Sequence, residues 1–164
     1  MDSILKRQSS IIGLVAAAIA AVYYVVIWKY QLYSDAWISL IRIIVPILLG
    51  VMAQILAKRA LNGSITLKQC VLAYFIVVMF FFVTEALVNY LIFVVIDPAA
   101  QNFMLEAALK VQEQNPNTAA ASGVFKQPEY TLTSYIGPML SSILFYTIAG
   151  ILTGFFIKNI KTTS

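Results

Sequence analysis

The chain has 164 residues, 61% hydrophobic and 11% charged, with a mean hydropathy of +0.87 and a formal net charge of +4. Soluble domains are roughly half apolar and a quarter charged, and a chain this short could not bury so large an apolar excess in a core, so lipid is the expected solvent. The basic residues sit between apolar blocks, with no basic run longer than "KR" and no interleaved aromatics, which argues for membrane topology and against nucleic-acid binding.

The first element is read from "IIGLVAAAIAAVYYVVIW", Ile11 to Trp28, which carries no charge and has the length of a membrane span. The apolar run continues past its alanines, which favours an uncleaved anchor over a signal peptide. A second span is expected over residues 36–57, with Ser34 or Asp35 capping its start, although it contains Arg42 and Pro46. A third runs over residues 70–96 and carries Glu85 within "VMFFFVTEALVNYLIF". At the ideal rise it would be roughly 40 Å long, more than the ~30 Å hydrocarbon core, so tilt or projection into the interface is expected. A fourth covers residues 135–157, with Pro138 in its first turn, where a missing N–H does no harm. The fold class is therefore all-α: an integral membrane protein with four transmembrane helices forming a single domain.

The region 97–134 is the one sizeable stretch outside these spans. "DPAAQNFMLEAALKVQEQN" reads as an amphipathic helix, with Asp97 as N-cap and Pro98 in the first helical position. Phe103, Met104, Ala107, Ala108 and Val111 form its apolar stripe, and Glu106 and Lys110 pair at i and i+4. Such a helix lies on the outer leaflet or covers the bundle; a docking surface or lid is the functional alternative. The following "NPNTAAASGVFKQPEYT" reads as a loop.

Orientation follows from the basic residues. Lys6, Arg7, Lys58, Arg59, Lys68, Lys158 and Lys161 fall on one side, against Lys29, Lys110 and Lys126 on the other. The positive-inside rule then places both termini in the cytoplasm. Tyr23, Tyr24, Trp28, Tyr30, Tyr33 and Trp37 cluster at the first turnaround and are read as an interfacial belt in preference to an aromatic ligand cage.

Several stretches together carry a family resemblance. "LNGSITLKQC" leads into the third span, "IFVVIDPAAQNFMLEA" closes it, and "YIGPMLSSILFYTIAGILTGFFIKN" forms the fourth. This ordering resembles the bacterial membrane family catalogued as domain of unknown function 4199, over nearly the whole chain. The resemblance implies a four-helix integral membrane protein of a Bacteroidetes-type bacterium, and no activity.

Two charges lie inside spans. Arg42 is roughly 9 Å deep in the second helix and Glu85 roughly 16 Å deep in the third, at the ideal rise. Asn89 shares the face of Glu85, with Thr84 and Gln54 adding polar groups nearby or deeper. An unpaired charge in mid-bilayer costs at least ~2.5–3.5 kcal/mol, so an Arg42–Glu85 pair supported by Asn89 is expected. It is read as a clasp that fixes the register of two helices, or as a proton- or ion-responsive site. Small residues recur at helix-packing spacing: Gly150 and Gly154, Gly137 and Ser141, and Gly13, Ala17 and Ala21.

With a single cysteine, Cys70, and no histidine, neither an internal disulfide nor a zinc site is expected. No catalytic motif and no cofactor motif is present, and no catalytic, cofactor or metal residues are assigned. The expected function is non-enzymatic assembly, with itself or with other membrane proteins in the bilayer. The alternative is a small permease or channel component using Glu85, Arg42 and Asn89. A polar cavity reaching Glu85 would favour the permease; a dry pair with an exposed small-residue face would favour assembly.

Overall fold

A computed structural model of the chain describes residues 2–33, 36–102, 106 and 132–159. Among these it contains four long helices: α1 (Asp2–Tyr30), α2 (Ala36–Ala60), α3 (Leu67–Tyr90), extended by a π-helical turn (Leu91–Ile96), and α4 (Leu132–Asn159). Each contains a segment long and apolar enough to cross a membrane. The expected cap at Ser34 or Asp35, the stripe from Phe103 to Val111 and Lys110, the expected partner of Glu106, lie outside the described residues.

The helix ends show why these segments start and stop where they do. α2 ends in a left-handed turn: the Asn62 N–H donates to the Arg59 carbonyl at 3.1 Å and the Gly63 N–H to the Lys58 carbonyl at 3.0 Å. Asn62 (φ 54°) and Gly63 (φ 82°) are among the residue types that tolerate this region. α3 then starts on a reciprocal cap. The Gln69 N–H donates to Thr66 Oγ1 at 3.3 Å, and the Thr66 N–H to Gln69 Oε1 at 2.9 Å. This box moves the start of α3 upstream of the expected Cys70. Thr66→Ala should lower stability by about 1 kcal/mol, seen as a fall in melting temperature of the detergent-solubilised protein.

α4 also starts earlier than expected, so Pro138 stands in the helix interior and not in its first turn. It lacks the N–H that an interior position donates four residues back. Pro46 raises the same problem in α2, where the carbonyl left without an N–H is that of Arg42. The Tyr146 hydroxyl of α4 stands 3.5 Å from both the Arg42 and Ile43 carbonyls and covers this gap.

α3 is the central helix. It packs against the other three, and α2 also touches α1 and α4. Its buried face reads Cys70, Ala73, Tyr74, Val77, Val78, Phe81, Phe82 and Glu85, a stripe at helical spacing. The facing stripe of α1 is Leu5, Ser9, Ile12, Ala16, Ala20 and Ile27. The remaining surfaces are equally apolar but exposed, with Leu144 68%, Phe145 66% and Phe156 70% accessible on α4. Helices apolar all round, with only one face covered by protein, are what lipid as solvent demands.

The packing is set by close contacts. Tyr74, fully buried, is wedged between Gly50 of α2 and Gly150 of α4, where an added Cβ would stand 2.4 Å and 2.5 Å from its ring. A Cβ on Gly154 would stand 3.0 Å from Cys70 Cβ and 3.2 Å from Gln54 Nε2. Gln54, also fully buried, donates to the Gly150 carbonyl at 2.8 Å. At the end of the bundle that holds both termini, Lys58 is buried and donates to the Ile157 carbonyl at 2.7 Å, closing the C-terminal end of α4.

Candidate functional site

A second group of polar residues lies toward the opposite end of the bundle. Arg42 on α2 meets Glu85 on α3: Nε stands 2.9 Å and Nη2 2.8 Å from the same carboxylate oxygen, Oε1. Both donors thus converge on one oxygen instead of bridging two. Glu85 is only 8% exposed, yet its other oxygen, Oε2, is buried without a hydrogen-bond partner. Glu85 falls on the core stripe one helical step beyond Phe81 and Phe82, so the geometry of α3 itself turns it inward. The length of the arginine side chain bridges the difference in depth.

The pair lines a cavity of about 430 Å³ between all four helices. Asn89 lines it one turn beyond Glu85, but the Arg42–Glu85 contact is made without it. The expected support of the pair by Asn89 is therefore absent from the hydrogen bonds of the described residues. α1 contributes Tyr23, Tyr24 and Ile27, and the α1–α2 turn contributes Tyr33. Phe82 and Phe93 of α3, and Pro138 and Met139 of α4, supply apolar wall. Pro138 is thus on the cavity wall.

Two tyrosine hydroxyls of this lining, Tyr24 and Tyr33, are buried, and that of Tyr33 has no hydrogen-bond partner. Tyr24 interacts with both Arg42 and Glu85, through charge and through hydrogen bonding. Burial pushes the Tyr33 phenol, outside the spans, above its ordinary value, and the Asp97 carboxylate adds to the shift. It therefore keeps its proton, and its capacity to donate, throughout the neutral range. The Tyr23 hydroxyl donates to the Ile38 carbonyl and ties α1 to the first turn of α2.

The aromatic belt expected at the first turnaround is thus divided. Tyr30 and Trp37 are 70% and 76% exposed, as a belt requires, whereas Tyr23, Tyr24 and Tyr33 turn inward onto the cavity. Sequence spacing could have separated them, because Tyr23, Tyr24 and Ile27 continue the i, i+3, i+4 progression of the buried face of α1.

Asp97 holds the rim of this end. One carboxylate oxygen accepts from Trp28 Nε1 at 3.0 Å and the other from the Ala100 N–H at 3.2 Å. The second contact is the N-cap expected at Asp97. The π-helical turn closes with the Asp97 N–H on the Ile92 carbonyl at 2.8 Å, and the Gln101 side chain caps the Phe93 carbonyl. Trp28 and Tyr33 pack against Ile92, Phe93 and Ala100.

The remaining expected residues fall elsewhere. Gly150 and Gly154 are buried against α3. Gly137 and Ser141 are exposed, and nothing lies within 4 Å of a Cβ placed on Gly137, so this pair makes no close helix contact in the monomer. Cys70 is a buried free thiol at the far end of α3. Among the described residues, no three His, Cys, Asp or Glu side chains come together as metal ligands.

Four long apolar helices around a common core define a multi-pass membrane protein. The chain belongs to the family described as "Protein of unknown function (DUF4199)", which matches residues 8–159. No curated protein and no solved structure matches it.

Proposed function

We propose that the protein is a small-solute-binding component of a bacterial inner membrane, acting in permeation or sensing through the cavity at Arg42 and Glu85. The observation that carries this reading is the placement of the Arg42–Glu85 ion pair in the lining of a 430 Å³ cavity. A clasp that served only to register two helices would sit in close-packed surroundings and not beside a cavity. Ligand sites are concave, mostly apolar and furnished with a few convergent polar groups, and this cavity has that make-up. The distribution of basic residues directs both termini to the cytoplasm, so the cavity lies toward the outer face. Lipid is the one partner the reading requires.

Labelling tests it. In a Cys70→Ala background, Asn89→Cys should react with a membrane-impermeant thiol reagent applied from the outer face. Protection equal to that of wild-type Cys70 would mean a dry site and return the protein to the assembly reading. That second reading draws on one observation, the exposed small residues Gly137 and Ser141 on α4.

A further inference from the structure

The cavity sets opposite charges side by side, each with hydrogen-bonding capacity left over. The two contacts to Glu85 engage two of the five N–H donors of the Arg42 guanidinium. Tyr24 stands beside both charges and interacts with each, and the Tyr33 hydroxyl is buried without a hydrogen-bond partner. A lone cation entering here would reach Glu85 but meet Arg42 on the same carboxylate. A lone anion would meet the reverse. The charges of the pair cancel, so the site holds a local dipole and no net charge to attract either ion. A molecule with its own opposed charges is complemented at both ends, and its desolvation is offset at both.

We infer that the cavity takes a small zwitterion, an ammonium and an oxyanion a few atoms apart, with the ammonium drawn to the Glu85 carboxylate and the oxyanion to the Arg42 guanidinium. Phe82, Phe93 and Ile27 accommodate an apolar substituent. This rests on the reading of the cavity as a ligand site. Two sources share the chemistry: a free amino acid and the headgroup of an ethanolamine phospholipid.

The test uses the full chain in phosphatidylglycerol nanodiscs, with three probes of one skeleton: L-phenylalanine, 2-phenylethylamine and 3-phenylpropionate. Calorimetry should show phenylalanine binding at least tenfold more tightly than either singly charged analogue, with that preference lost in Glu85→Gln. In discs containing equal phosphatidylethanolamine and phosphatidylglycerol, native mass spectrometry reads the lipid source. One retained phosphatidylethanolamine per protein, without phenylalanine binding, assigns the zwitterion to the headgroup and upholds the inference. Binding of either singly charged analogue as tight as phenylalanine would overturn it. So would the absence of all three together with no enrichment of phosphatidylethanolamine. Should Glu85→Gln fail to fold, the wild-type panel decides alone. Thiol labelling at Asn89→Cys in the same discs separates the failures: labelling without zwitterion preference overturns the ligand class only, and protection overturns the site itself.

Discussion

Glu85→Leu alone is expected to destabilise the protein by about 3 kcal/mol, because it leaves the Arg42 guanidinium without its counter-ion inside the membrane. The arginine side chain is only partly buried, with 45% of its surface exposed, so its long stem can carry the guanidinium toward the interface, which holds the effect at the low end of the range for broken buried pairs. The double variant Arg42→Met/Glu85→Leu should return to within about 1 kcal/mol of wild type, since replacing both charges by apolar groups removes desolvation and attraction together. Denaturation in detergent, compared across wild type, both single variants and the double, reads the coupling. Equal losses in the single and double variants would show that the two residues act independently. The double variant also divides structure from function: it should fold, and it should bind no zwitterion.

Gly150→Ala should destabilise by about 2 kcal/mol, the usual cost of overpacking, and Gly50→Ala by a similar amount. Each methyl would enter the ring of Tyr74 at 2.4–2.5 Å, and the fully buried ring has helices on both sides and no route of escape. Adding Tyr74→Leu to Gly150→Ala should recover most of the loss, because the smaller side chain makes room for the methyl. Tyr74→Phe should be neutral or slightly stabilising, since the Tyr74 hydroxyl is buried without a partner. An unchanged melting temperature in both alanine variants would show that the ring is not wedged between the two glycines.

Much of the site is legible in the sequence. Arg42 and Glu85 stand out as charges inside spans, and their depths on antiparallel neighbours bring them within side-chain reach. The capping box at Thr66 and Gln69 was also written in the chain, as a threonine followed three residues later by glutamine, but apolar counting alone set the expected start at Cys70. The inward turn of Tyr23, Tyr24 and Tyr33 was not apparent from composition. Tyrosine suits both an interface and a cavity wall, and only the helix face it occupies separates the two. Gly137–Ser141 and Gly150–Gly154 have the same spacing, yet one pair faces outward and the other meets α3. Spacing reports that a smooth surface exists, not what lies against it.

By itself, the sequence determined the solvent, the four spans and the positions of the intramembrane charges. Those follow from local properties: in lipid every backbone polar group must be satisfied within its own helix, so a long apolar run becomes a helix whatever its neighbours. Which faces meet was decided by the tertiary structure. Helices apolar on every side have no hydrophobic direction to orient them in lipid, so shape decides: a tyrosine between two glycines, a glutamine on a backbone carbonyl. The same fit places both Arg42 donors on one oxygen of Glu85 and sets the pair at the wall of a cavity that four separate helices complete.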